Sequence, residues 1–365
     1  MLRNVCCFLL LGAMAAMVAG ALRDNGLART PPMGWTSRSF GDRIDDPTVR
    51  AIADAIDVNG MRQAGYSYVV IGDGWQGERY GQGDIRPNSR FPDMRGLASY
   101  VHSRGLFVGL SSSPSAKTCL GYEGSSGHEE QDARIFAGWS MDFLEYSWCA
   151  DDKSHATDES MRAAVQAMGD GLVRTGRPIV YSIGGPGPYE PWRWGAQAGA
   201  NLWRISGDAE SKAEFAGPGH WNDPGPLGAD LALRSQLSMS AMLAAPLFVE
   251  GDPRAYTKPV LAALTNREVI GVDQDPRGRP GFRMSSRNGL EIWVRHLSDG
   301  SKAIAWFNGR DTRVRFTMDW SDFGVGAKNQ VRDLWQHRVV DTSKPEFLVD
   351  VDKHDTMMVR VYPSQ

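Results

Sequence analysis

Between residues 31 and 250 the chain alternates between two apolar patterns, and that alternation limits the folds open to it. Eight short runs read as strands: 31–35, 66–73, 106–112, 141–147, 178–183, 202–207, 219–223 and 246–250. Helical spacing fills most gaps between them. Over 48–63, Val49, Ile52, Ala53, Ile56 and Met61 recur at that spacing, and 93–104 follows a Pro92-Asp93 start. Further helices are expected over 129–138, 158–175, 190–198, 230–244 and 257–267, while the gap from 208 to 219 has room for only a turn. Eight buried strands with helices between them predict an α/β chain folded as a (β/α)8 barrel. A doubly wound sheet is the alternative, with fewer strands and often a glycine-rich phosphate loop. Gly72-Asp73-Gly74 does not continue as G-x-G-x-x-G, so dinucleotide binding is discounted.

After 272–281 (VDQDPRGRPG) the pattern changes. Runs 290–297, 302–308, 312–318, 329–335 and 356–362 alternate apolar and polar residues, with turns such as Asp299-Gly300 and Asn308-Gly309 between them. They predict a small C-terminal antiparallel β-sandwich. The expected division is 1–21 as a signal peptide, 30–281 as the barrel and 282–365 as the sandwich.

The leader expectation rests on Arg3, an apolar run from Val5 to Val18, and the small residues Ala19-Gly20-Ala21. The run is short for a membrane span, so export to the periplasm or outside is expected, with a short anchor as the alternative. Cys6 and Cys7 would leave with it, and Cys119 and Cys149 would remain. In an oxidising compartment a disulfide is favoured over a metal, because two thiols make half a zinc site and no histidine spacing completes it. No metal and no cofactor are expected. With 40 basic and 43 acidic residues, the net charge of −3 gives no electrostatic case for nucleic acid or a membrane surface. Twelve tryptophans suit a sugar cleft as well as a core.

Barrel active sites sit at the C-terminal strand ends. Those ends carry Trp35, Asp73 with Trp75, Ser111 to Ser113, Glu145 with Ser147, Gly184-Gly185, Arg204 with Asp208, Asn222-Asp223, and Glu250 with Asp252. Glu145 and Ser147 are two apart, so they share one face of their strand. Carboxylates, an arginine and tryptophans around one mouth fit glycoside hydrolysis, which sets two carboxyl groups astride the scissile bond. Each also has a structural reading. Asp73 and Asp223 can cap helices or order loops, Arg204 can pair with Asp208, Trp35 and Trp75 can be core, and Glu145 faces outward if the register slips by one.

Six stretches, taken together and in order, resemble the α-galactosidases of glycoside hydrolase family 27. They are TPPMGW (30–35), FPDMRGLASYVHSRGLFVGL (91–110), KTCLGYEGSSGHEEQDARIFAGW (117–139), AGPGHWNDP (216–224), AAPLF (244–248) and NREVIGVDQDPRG (266–278). The resemblance implies a retaining enzyme acting on α-linked galactosides. Its nucleophile is an aspartate in a pattern like Lys-Tyr-Asp-x-Cys, and its acid/base an aspartate in a pattern like Arg-x-x-Gly-Asp. RISGD (204–208) carries the acid/base role to Asp208 and a substrate contact to Arg204. Trp35 and Asp73 take substrate-binding positions, and Cys119 and Cys149 match a family disulfide.

LEYSWC (144–149) falls on Leu-Lys-Tyr-Asp-Trp-Cys. Ser147 therefore holds the nucleophile position, and Glu145 replaces a sugar-binding lysine, leaving it among acids. Further departures are Gly72 for the first of two acids, Ser111 for a tyrosine, Gly184-Gly185 for Cys-Glu or Cys-Gln, Gly225 for an aspartate and Arg38 for a tryptophan. Asp42 and Gly74 replace a second cysteine pair. Two main expectations follow. One is a glycan-binding pseudoenzyme, since a serine without a base beside it is a poor glycosyl nucleophile. The other is an inverting or otherwise altered glycosidase, with Glu145 or Asp73 as base and Asp208 as acid, where the smaller Ser147 admits a water. An ordinary α-galactosidase is the third.

Overall fold

The computed structural model describes residues 25–149, 157–185, 190–204, 229–326 and 329–363. The leader, the run 219–223 and Asp208 lie outside them. Seven parallel strands form one curved sheet: Met33–Thr36, Tyr68–Ile71, Phe107–Ser112, Phe143–Ser147, Val180–Gly184, Leu202–Trp203 and Leu247–Val249. The first pairs with both the second and the last, and the others follow in chain order to Leu202–Trp203. With helical segments between successive strands this is the barrel that the alternation predicts; the expected strand 219–223 lies outside the described residues.

The barrel interior is closed from below by aromatic rings. Tyr68 lies 5.3 Å from Phe107 and 5.5 Å from Phe143, and Phe143 lies 5.3 Å from Phe248. Glycines make room for this floor. A Cβ on Gly34 would come 2.5 Å from the Tyr68 carbonyl, and one on Gly109 would come 2.6 Å from Phe143 Cβ. Beneath it, Asp142 ties the strand entry together. It accepts from Val108 N (2.9 Å) and Arg177 Nη2 (2.6 Å), with His102 Nε2 at 2.7 Å.

Local chemistry sets where helices start and stop. The expected 48–63 helix breaks at Asn59-Gly60, where Gly60 takes φ 94°, giving Asp46–Val58 and Met61–Ala64. The expected 257–267 helix becomes Lys258–Leu264 and Arg267–Asp273, because the Asn266 side chain accepts from Glu268 N and Val269 N and starts a second helix. The expected 190–198 helix is only the 3-10 turn Pro191–Arg193. Gly195 and Gly199 weaken the segment, and Gly195 packs where a Cβ would lie 2.8 Å from the Pro191 carbonyl.

The hairpin Gln76–Tyr80 with Asp84–Pro87 has no counterpart in the sequence reading. Its apolar content is low, and one ion pair anchors it. Arg79 donates through both terminal nitrogens to fully buried Asp132, at 2.8 and 2.7 Å, and also to the Gly83 and Gly124 carbonyls.

The sandwich has a six-stranded sheet, in the order Phe282–Arg287, Leu290–His296, Lys302–Asn308, Thr356–Val361, Val331–Asp333, Arg338–Val340, facing the pair Val314–Asp319 and Glu346–Val351. Ile292, Ile304, Trp306, Phe316, Val349 and Val359 fill it. Three of these strands escape the sequence reading. Phe282–Arg287 is exposed along its whole length, so it lacks an alternating pattern to read.

Barrel and sandwich share polar contacts. Arg332 pairs in a fork with Glu268 (both 2.7 Å), Trp335 Nε1 donates to Ser238 Oγ (2.9 Å), and buried Arg295 donates to the Ala241 carbonyl. Asp273, fully buried beside Arg295, accepts from Gln274 Nε2 at 2.7 Å, while its Oδ1 has no partner among the described residues. Burial pushes this carboxyl up to about 8, outweighing Gln274 and the Arg295 charge.

Two outcomes follow. An exposed aspartate ionises near about 4, so the folded chain keeps a proton that the unfolded chain releases, and stability falls as pH rises from about 4 through 8. Asp273→Asn removes that titrating carboxyl, and its Tm by circular dichroism should fall less between acidic and mildly alkaline buffer than the parent's. Removing Arg79 strands Asp132, so Arg79→Ala should cost about 3–5 kcal/mol in urea unfolding, as for other broken buried pairs.

Candidate functional site

The strand ends surround a cavity of about 260 Å³. Val70, Phe143, Leu202 and Phe248 line its apolar part, and Thr36, Arg38, Glu145, Ser147, Ser182, Arg204 and Glu250 its polar part. The pleat explains the division. Phe143, Glu145 and Ser147 face the cavity, while Leu144 and Tyr146 are buried in the main core. Glu145 therefore faces inward, level with Ser111 and Ser182 on the flanking strands.

Glu145 is not left among acids. Arg38, on the turn after the first strand, donates through Nη2 to Glu145 Oε1, and its Nε lies 4.0 Å from Glu250 Oε1. Ser147 Oγ donates to the same Glu145 oxygen at 3.3 Å. The arginine side chain is 41% exposed and the two carboxylates 19% and 13%, so the cation lies nearer the opening.

Trp35, expected at the sugar, is core. It is fully buried, donates Nε1 to the Gly251 carbonyl at 2.7 Å and meets Phe40 edge-on at 5.8 Å. Thr36, the next residue, faces the cavity instead. Trp75 is also core, with Nε1 on the Ser111 carbonyl.

Asp73 does not line the cavity. Its Oδ2 accepts from Leu120 N at 2.8 Å, which ties the Cys119 loop to the barrel, and its buried Oδ1 has no partner among the described residues. Burial raises its pKa, and the Glu145 charge adds to this against the Leu120 N–H.

Arg204 lines the cavity, and Asp208 and Asp223 lie outside the described residues. Gly184 and Gly185 make space in this wall. A Cβ on Gly184 would come 2.6 Å from Arg204 Cβ, and one on Gly185 would come 2.6 Å from the Trp148 indole.

Cys119 and Cys149 are disulfide-bonded, with Cα atoms 5.5 Å apart. Asp42 and Gly74, which stand where a second pair is expected, still touch. A Cβ on Gly74 would lie 3.2 Å from Asp42 Cα. Among the described residues no three His, Cys, Asp or Glu side chains are placed to hold a metal, and no helix is long and apolar enough to cross a membrane.

Residues 30–202 and 193–275 match the family described as alpha galactosidase A, and 287–361 match the alpha galactosidase C-terminal beta sandwich domain. The chain belongs to the α-galactosidase family. It is 37% identical over 369 residues to the α-galactosidase of Cyamopsis tetragonoloba, covering 94% of this chain and 88% of that protein. It is 32% identical over 402 residues to α-galactosidase A of Cellvibrio japonicus, covering 97% and 98%. The crystal structure of α-galactosidase I from Mortierella vinacea superposes with a TM-score of 0.84 at 28% identity, covering 93% of this chain and 99% of that one. This α-galactosidase-family chain thus matches these relatives over most of their length.

Thr36 and Ser182 are cavity residues that the sequence reading does not place there, and Arg38, which it gives only as standing for a tryptophan, lines the cavity as the partner of Glu145. The available signal for Arg38 was its position two residues past the first strand end, where barrel sites form. The disulfide closes a span of 30 residues, so replacing both cysteines by serine should lower stability by about 3–4 kcal/mol, read as a drop in Tm and in urea midpoint.

Proposed function

We propose that this chain is an exported, carbohydrate-binding member of the α-galactosidase family in which the retaining hydrolytic route is closed. One observation carries the reading. At the cavity end of Phe143–Ser147, where the family resemblance calls for a nucleophilic carboxylate, Ser147 presents a hydroxyl that it donates to Glu145. A carboxylate nucleophile forms an acylal-type ester that water can open. A serine would form an ordinary O-glycoside, no easier to break than the substrate, so even a hydroxyl activated by Glu145 would stall after one transfer. The cavity still offers hydroxyl donors and acceptors above apolar rings, the mix that suits a sugar ring. Arg204 and Asp208 keep the positions of a substrate contact and an acid/base. Export is supported by the leader-like 1–21 and by the disulfide.

A second reading is inverting hydrolysis with Glu145 as the base, favoured by its placement in the cavity. Against it, the same carboxylate oxygen already accepts from Arg38 and Ser147.

The purified chain should bind methyl α-galactoside in calorimetry yet release no nitrophenol from 4-nitrophenyl α-galactoside or a panel of related glycosides. Ser147→Asp should raise release above the parent by about 10²-fold or more, the scale of one restored catalytic group. Steady turnover by the parent would overturn the reading, and an inverted first product would install the second one.

A further inference from the structure

Two departures from the family pattern, Arg38 and Glu145, meet in the cavity although 107 residues separate them. Each alone is a loss. A flat apolar surface becomes a charge, and a cation becomes a carboxylate. Together they move the positive charge from the fourth strand to the turn after the first. Arg38 bonds Glu145 directly and stands 4.0 Å from Glu250, so one guanidinium is set against two carboxylates that lie deeper than it does.

We propose that Arg38 is the ligand-facing, specificity-determining residue of this cavity, with Glu145 as its positioning carboxylate. The ligand is a neutral glycoside that presents adjacent hydroxyls. This rests on the carbohydrate-binding reading above. The geometry argues for that class in three steps. A guanidinium is donor-only and a carboxylate acceptor-only, and side by side they match a diol, whose oxygens accept from one and whose hydrogens donate to the other. Glu145 and Glu250 balance Arg38 and Arg204 among the described charged side chains of the cavity, so no net positive charge is left to favour a uronic acid or a sugar phosphate over a neutral ring. The guanidinium is the most exposed of the three, so an incoming ring meets it first.

The test is calorimetric binding of two probes, methyl α-galactoside and galacturonic acid, to the parent, Arg38→Met, Glu145→Gln, the double variant and Arg38→Lys. The parent should prefer the neutral probe. Arg38→Met should weaken that probe about tenfold or more, with Arg38→Lys recovering part of the loss. Glu145→Gln should also weaken the neutral probe and narrow its lead over galacturonic acid, since one balancing negative charge is gone. The double variant should be little worse than Arg38→Met, because a unit is broken only once. Unchanged Tm values across the set separate this from a folding effect, and Arg38→Lys with Glu145→Gln carry the test should Arg38→Met fail to fold. Equal binding by parent and Arg38 variants overturns this proposal alone, as do strictly additive losses or an unmoved selectivity in Glu145→Gln. A parent that binds neither probe overturns the carbohydrate reading and this proposal with it.

Discussion

The two-residue pleat of the barrel strands governs what this protein can present to a ligand. In Phe143–Ser147 the inward positions hold a ring, then a carboxylate, then a hydroxyl, while Leu144 and Tyr146 are sealed in the core. The ring joins Tyr68, Phe107 and Phe248 in a floor that needs Gly34 and Gly109 at the same level, between the bulky side chains. The polar pair stands above that floor, level with serines on both neighbouring strands. Moving the strand by one residue would bury Glu145 and aim Tyr146 at the mouth, so packing on the helix side fixes the polarity of the site.

Long, strongly patterned elements were readable from the chain. Asp158–Thr175 and Glu129–Gly138 occupy the expected residues, and seven of the eight expected barrel strands pair in chain order. What could not be read depended on contacts between distant residues or lacked apolar content. The Gln76–Tyr80 hairpin is held by Arg79 on Asp132, 53 positions away. Phe282–Arg287 is paired on one side and exposed throughout, so nothing in its composition marks it. In the site, the inward direction of Glu145 was legible from its spacing to Ser147, but its cation was not. Arg38 looks like a lost tryptophan until the fold brings it to Glu145. Trp35 shows the opposite failure. A tryptophan near a barrel mouth reads as a sugar platform, yet its N–H is committed to Gly251 and its ring to the core.

The sandwich is joined to the barrel by buried and half-buried polar groups as well as by apolar packing. Leu297, Ala303, Ala305, Leu334 and Met358 belong to the same continuous core as the barrel helices. Around them, the part-exposed pair of Arg332 with Glu268 and the buried Arg295, which donates to the Ala241 carbonyl, specify one way of docking, because a slip would break the pair and leave the buried guanidinium without that acceptor.

The chain beyond Cys7 contains only Cys119 and Cys149, and the place of a second bridge is filled by Asp42 against Gly74. Two thiols admit a single pairing, whereas four admit three. On the proposed export route, with Cys6 and Cys7 removed in the leader, oxidative maturation therefore has one right answer and no wrong intramolecular one. It calls for an electron acceptor but leaves a disulfide isomerase nothing to correct.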